Sequence, residues 1–267
     1  MKKPIGIFDS GVGGLTVFRE IRKKFPHEDI VYFGDTARVP YGPKSPATII
    51  QYSLQNVRFL MQNQVKIIVV ACNTASSFAL EQLRELLPVP VIGVIEPGAR
   101  AALKQTLNQR IGIIGTYGTV NSGAYQNEIR KLGEAITVIS RACPMFVPLV
   151  EEGLENHAVS EQMAREYLSE MIRENIDTLI LGCTHYPILK ETILKVTENK
   201  IKLVDSAEVI ASSLIDILPE IETEGDGKDL FFVSDNEDNF RRIAERIIGS
   251  ELGSLQKVFL GESWFVR

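Results

Sequence analysis

Two stretches of the chain are continuous apolar runs that stop at a small residue, a cysteine and a polar pair. They are Ile67-Ile68-Val69-Val70-Ala71-Cys72-Asn73-Thr74 and Thr178-Leu179-Ile180-Leu181-Gly182-Cys183-Thr184-His185. A short run of this kind, rich in β-branched residues and bounded by turn chemistry, is how a parallel strand covered on both faces reads. In open α/β sheets the ligand sits beyond the carboxyl ends of such strands. Each thiol is therefore expected at the rim of a cleft, with the rest of the chain bringing Cys72 and Cys183 to one site.

The flanking pattern supports two related halves. Ile5-Gly6-Ile7-Phe8 is a strand that runs into Asp9-Ser10-Gly11-Val12-Gly13-Gly14, followed by a helix with Leu15, Phe18, Ile21 and Phe25 on one face. A strand from Asp29 to Phe33 follows, then a loop through Tyr41-Gly42 and a helix opened by Ser45 and Pro46, a capping residue and a first-turn proline. Val91 to Ile95 reads as a short strand before Glu96-Pro97-Gly98. Near residue 111 the layout restarts with Ile111-Gly112-Ile113-Ile114-Gly115-Thr116. From Ile5 to Cys72 is 67 residues and from Ile111 to Cys183 is 72. In the second half a strand spans Ala135 to Ser140, and Ser160 is the expected cap of a helix. Ser206 is the expected cap of a further one. Strands at Leu230–Val233 and Val258–Leu260 flank a helix from Phe240 to Ile248, and this tail is expected to complete the first half. The expected fold is α/β: two similar, pseudo-symmetric domains with mainly parallel sheets and the active site in the cleft between them. The expected boundaries are 1–97 with 207–267 for one domain and 98–206 for the other. If the cleft closes, its hinges are expected near Glu96-Pro97-Gly98 and Val204-Asp205-Ser206.

Charge and cysteine usage narrow the function. A formal net charge of -5 gives no general attraction to nucleic acid or to an anionic membrane. No stretch approaches the 18 apolar residues of a bilayer span. The apolar run after Met1-Lys2-Lys3 ends at Asp9, too soon for a signal-peptide core. Three cysteines make no disulfide framework, so a reducing cytoplasm is the expected location.

Cys72 and Cys183 have company that structural cysteines lack. Asn73 and Thr74 follow one, Thr184 and His185 the other, at positions that read as helix N-termini, where a thiol's pKa is lowered and anions are held. Cys143, before Pro144, has no such neighbours and reads as structural. The chain has three histidines and no CxxC pair, which argues against zinc and against a redox dithiol. It has no GxSxG elbow for serine hydrolysis. The glycine-rich loop is neither a P-loop nor GxGxxG, although its backbone could cradle an anion. Two thiols facing each other suit proton transfer at carbon: one removes a proton from one face while the other delivers one to the opposite face. Asp9 and His185 are suitable aides, and Ser10, Asn73, Thr74 and Thr184 supply donors for a carboxylate. An amino-acid or nucleotide-binding module using the Asp9–Gly14 loop is the alternative from a different class.

These stretches, with Pro40-Tyr41-Gly42, Glu96-Pro97-Gly98, Phe146-Val147-Pro148-Leu149 plus Glu151, and Gly182-Cys183-Thr184-His185-Tyr186-Pro187, resemble the glutamate racemases of the cofactor-independent aspartate/glutamate racemase superfamily. The resemblance runs through both halves and leaves only the tail weakly matched. It implies interconversion of L- and D-glutamate without a cofactor or metal, with D-glutamate supplied to peptidoglycan. It implies Cys183 as the base toward L-glutamate and Cys72 toward D-glutamate, aided by His185 and Asp9 respectively. Substrate contacts carry over to Asp9, Ser10, Tyr41, Gly42, Asn73, Thr74, Thr184 and His185, with Thr116, Thr119 and Glu151 in an outer shell. A homodimer is implied, with neither nucleic acid nor membrane as partner. A relative acting on aspartate remains open, because side-chain length is set by cleft depth.

Overall fold

The computed structural model describes residues 3–133, 135–218 and 220–260. Met1, Lys2, Glu134, Pro219 and residues 261–267 lie outside them. The chain forms two sheets in which every pairing is parallel. In order it runs β1 (Ile5–Asp9), α1 (Leu15–Lys24), β2 (Ile30–Gly34), α2 (Pro46–Gln62), β3 (Ile67–Val70), α3 (Asn73–Leu86), β4 (Val91–Gly93) and α4 (Ile95–Gln105). Then come β5 (Arg110–Gly115), α5 (Tyr117–Asn121), α6 (Ala124–Leu132), β6 (Thr137–Ala142), α7 (Phe146–Glu151), α8 (Ala158–Arg173), β7 (Thr178–Gly182), α9 (Lys190–Val196) and β8 (Lys202–Asp205). The chain closes with α10 (Ser206–Ser213), β9 (Asp229–Val233), α11 (Glu237–Ile248) and β10 (Ser254–Lys257).

The sheet orders expose the internal repeat. The first is β10-β9-β2-β1-β3-β4 and the second β6-β5-β7-β8. With β5 to β8 matched to β1 to β4, both share the order second, first, third, fourth. The tail strands β9 and β10 extend the first sheet beyond β2. In each half the strand order reverses between the first and third strands, and a crevice opens at their carboxyl ends at such a switch point. Asp9 ends β1 and Cys72 follows β3; Gly115 ends β5 and Cys183 follows β7. The repeat thus places both thiols at equivalent crevices.

The apolar runs are buried as their composition demands. Ile67, Ile68, Val69 and Val70 are fully buried, as are Leu179, Ile180 and Leu181. Each such side chain contributes about 1.5–3 kcal/mol of transfer free energy. One core cluster runs through both halves, joining Ile7 and Val69 of the first sheet to Ile113 and Ile180 of the second through Ile95, Ala99 and Ile210. The outer faces form a separate cluster in each half.

Several local expectations move. Glu96, Pro97 and Gly98 lie in the first turn of α4, where proline is tolerated because its missing N–H would have no partner. The second-half strand begins at Thr137 and runs to Ala142. The α8 cap is His157, whose Nδ1 accepts from the Val159 N–H at 3.2 Å; Ser160 lies inside the helix and donates to the Leu154 carbonyl at 2.6 Å. Asp205 caps α10 by accepting from the Ala207 N–H at 2.8 Å, so Ser206 is its first residue. Ser45 does cap α2, accepting from the Thr48 N–H at 3.3 Å. The last strand is Ser254–Lys257 rather than Val258–Leu260. Among the described residues it pairs only with β9 at the sheet edge and is mostly exposed, so it needs no apolar run.

Candidate active site

Cys72 is the N-cap residue of α3, in extended conformation, 5% exposed. Its sulfur lies 3.6 Å from Ser10 Oγ. Burial pushes this thiol up to about 12, and the nearby Asp9 charge pushes the same way; the Ala75 N–H and Ser10 pull against them. The helix N-terminus was expected to lower this pKa, and desolvation overrides it. Cys72 therefore rests as a protonated thiol at neutral pH. Asp9 is fully buried and accepts from the Gly11 N–H at 3.0 Å and from Thr184 Oγ1 at 3.4 Å. Burial raises its pKa, while the His185 charge and these donors oppose the rise.

Cys183 is built differently. A 3₁₀ turn, Tyr186–Leu189, begins three residues later and precedes α9, so the thiol does not cap an α-helix. Its sulfur lies 3.9 Å from His185 Nδ1, and His185 Nε2 lies 2.9 Å from Glu151 Oε1. Burial opposes charging the ring, but the Cys183 sulfur and the Glu151 carboxylate outweigh it and raise His185 to about 10. Glu151 is penalised by burial yet held below the usual carboxylate range by its bond to His185, with Arg242 and Arg246 assisting. His185 is thus an imidazolium that donates from both nitrogens, to Glu151 and to the sulfur.

The two halves meet closely at this point. A methyl group at Gly13 would stand 2.4 Å from both His185 Nδ1 and Thr184 Oγ1, so only glycine lets the first-half loop approach the Thr184-His185 segment. Thr16 Oγ1 lies 2.9 Å from the Thr184 carbonyl. On the opposite wall the Gly118 N–H donates to the Gly42 carbonyl at 2.9 Å, and Thr74 Oγ1 lies 2.9 Å from Thr116 Oγ1 and 3.2 Å from Thr119 Oγ1.

Between these contacts is a cavity of about 40 Å³. Ser10, Tyr41, Gly42, Cys72, Asn73, Thr74, Thr116, Cys183, Thr184 and His185 line it, with Val39, Pro40 and Val147. The structure thus gathers ten of the thirteen sequence-derived residues on one wall set. Asp9, Thr119 and Glu151 stand behind it, in contact with Thr184, Thr74 and His185 respectively. Tyr41 offers the cavity no free hydroxyl, because its O–H is bonded to Asp35 and accepts from Asn56 Nδ2 at 3.0 Å. Arg38, the nearest arginine in the motifs, is paired with Asp35 at 2.7 Å and with Asn56 at 2.9 Å. Among the described residues no lysine or arginine lines the cavity, so an anionic ligand meets neutral donors and the His185 charge. A wider, mostly apolar space of about 430 Å³ adjoins it, sharing Val39, Pro40, Gly42, Thr116 and Val147. Among the described residues no group of three or more His, Cys, Asp or Glu is placed to hold a metal ion, and no helix is long and apolar enough to cross a membrane.

Two all-parallel α/β sheets with a thiol at the switch point of each, facing one cavity, define a two-domain enzyme of the racemase type. The family model described as Asp/Glu/Hydantoin racemase matches residues 13–214, and the chain belongs to that family of isomerases. It is 51% identical over 262 residues to the glutamate racemase of Geobacter metallireducens, covering 97% of each chain. It is 49% identical to that of Persephonella marina, over 97% of this chain and 98% of the other. Among solved structures, glutamate racemase isoform RacE1 from Bacillus anthracis superimposes with a TM-score of 0.93 at 43% identity, over 96% of this chain and 97% of that one. The Francisella tularensis glutamate racemase, solved in complex with D-glutamate, gives 0.91 at 41% identity, over 97% and 98%.

Proposed function

We propose that this chain interconverts L- and D-glutamate by two-base proton transfer between Cys183 and Cys72. The observation that carries the proposal is the pair of buried thiols at equivalent strand ends, lining one cavity. Cys72 rests protonated and is ready to give a proton. Cys183 sits against the His185 imidazolium, which supplies a donor and a positive charge to a sulfur acting as base. With L-glutamate bound, Cys183 takes the α-proton, the electron pair stays at the α-carbon delocalised toward the carboxylate, and Cys72 delivers its proton to the opposite face. Cys72 is then the thiolate and Cys183 the thiol, the state that acts on D-glutamate. Donors at Ser10, Asn73, Thr74 and Thr184 stabilise the growing charge on the carboxylate.

In the same reading residues 1–97 with 207–267 form one domain and 98–206 the other, the enzyme works in the cytoplasm as a homodimer, and D-glutamate is passed to peptidoglycan synthesis. Purified protein in D2O tests the reaction. The circular dichroism of L-glutamate should decay to zero as deuterium enters the α-carbon, and the decay should vanish in Cys72→Ser and Cys183→Ser. Normal decay in both variants overturns the mechanism. Decay with aspartate alone reassigns the substrate.

A further inference from the structure

Asn73 is 2% exposed, lines the cavity and leaves its Nδ2 without a hydrogen-bond partner among the described residues. Its Oδ1, in contrast, accepts a hydrogen bond at 2.8 Å from the hydroxyl of Tyr125. Tyr125 belongs to α6 in the second half, while Asn73 is the first residue of α3 in the first half, so this bond crosses between them. The Tyr125 ring is fully buried in a slot that depends on two glycines. A methyl group at Gly98 would stand 3.1 Å from Cε1, and one at Gly182, the residue before Cys183, 3.3 Å from Cε2. Ser206 Oγ lies 3.2 Å from the phenol oxygen and donates its proton to the Leu181 carbonyl at 2.9 Å, so it packs against the phenol without competing for the Asn73 bond. Burial raises the phenol's pKa, so it remains a donor at working pH.

An amide has two chemically opposite ends that differ little in shape. A buried asparagine facing an anion must turn its NH2 toward it, and a fixed donor on Oδ1 enforces that choice. We infer that Tyr125 is a positioning residue, which holds Asn73 Oδ1 so that Nδ2 is presented to the carboxylate of the bound amino acid. The Gly98 of the Glu96-Pro97-Gly98 motif and the Gly182 of the cysteine motif are then space-makers for this ring. The inference rests on the proposed reaction for the identity of the carboxylate.

The test is a double-mutant cycle with Tyr125→Phe and Asn73→Ala, reading the Kd of D-glutamate by calorimetry together with KM and kcat. Loss of one neutral hydrogen bond predicts a rise of about 3- to 10-fold in Kd and KM for Tyr125→Phe, with a smaller change in kcat. In the Asn73→Ala background the same substitution should cost nothing further. Gly98→Ala presses on the ring from its other side and should reproduce the KM-weighted loss, which keeps the test open if Tyr125→Phe melts early. Equal losses in both backgrounds, or wild-type KM in both Tyr125→Phe and Gly98→Ala, overturn the inference while the reaction stands. A wild-type protein that neither binds nor racemises glutamate overturns the proposed reaction itself, and the inference with it.

Discussion

The two halves of this molecule share a strand order and place a thiol at the same point of it, yet they prepare those thiols in different ways. Cys72 caps a long α-helix, has the Ser10 hydroxyl and the Ala75 N–H beside its sulfur, and sits near a buried carboxylate. Cys183 precedes a 3₁₀ turn and faces an imidazolium backed by a second carboxylate. A repeated fold supplies position, and the first neighbours decide charge. The α3 dipole acts on Cys72, but burial there costs more than the dipole returns.

The largest effect should come from removing either sulfur. Cys72→Ser and Cys183→Ser should each lower kcat/KM for glutamate by about 10²–10⁴-fold. Enantiomers are equal in free energy in water, so kcat/KM must fall equally in both directions even though the two sites differ. The asymmetry should instead appear in kcat and KM taken separately, and in solvent isotope effects measured from each enantiomer.

His185→Gln comes next, with an expected loss of about 10- to 100-fold, the weight of a hydrogen bond to a charged group. Wild-type activity should also fall as pH rises through about 10, where the ring loses its proton, and this limb should be missing from His185→Gln. Stability follows the same sign. The folded pKa lies above the ordinary value of 6.5, so the folded state holds the extra proton between these values. The contribution is complete below 6.5 and is lost as pH rises through about 10. Urea midpoints of wild type and His185→Gln should converge above that pH. A constant gap across the range would count against the imidazolium.

Gly13→Ala sets a methyl group against Thr184 and His185 and should destabilise the fold by about 1–3 kcal/mol, read from denaturant midpoints, with activity falling alongside. Ser10→Ala should have the smallest effect. It removes one hydrogen-bond partner of Cys72 and none of Cys183, and a loss of about 2- to 10-fold with no change in the alkaline limb would keep the two sites separate. A shift of that limb would show that they titrate as one.

Much of this was legible in the sequence because the signals were local. The buried strands, the glycine loop and the cysteine motifs each state their environment within eight residues. The site's missed members are long-range. Tyr125 carries no motif, and its role exists only because Gly98 and Gly182 bring their backbones beside its ring. Tyr41 lines the cavity while Asp35 and Asn56 bind its hydroxyl, a contact no spacing announces. Helix caps slipped to a neighbouring residue at Asp205 and by three at His157, where two or more capping types stand close together. The edge strand Ser254–Lys257 had no apolar signature to find.

The pairing of β2 with β9 has a consequence for synthesis. The partner of Ile30–Gly34 begins at Asp229, 195 residues later, after the whole second sheet. At about 5–20 residues per second a ribosome needs roughly 10–40 s to supply it. For that interval the outer edge of β2 is an open template with apolar side chains, the kind of edge that recruits other strands. A nascent chain halted after residue 213 should therefore be more prone to aggregate than one released after residue 260, and equal solubility of the two would show that the edge is covered in some other way until β9 arrives.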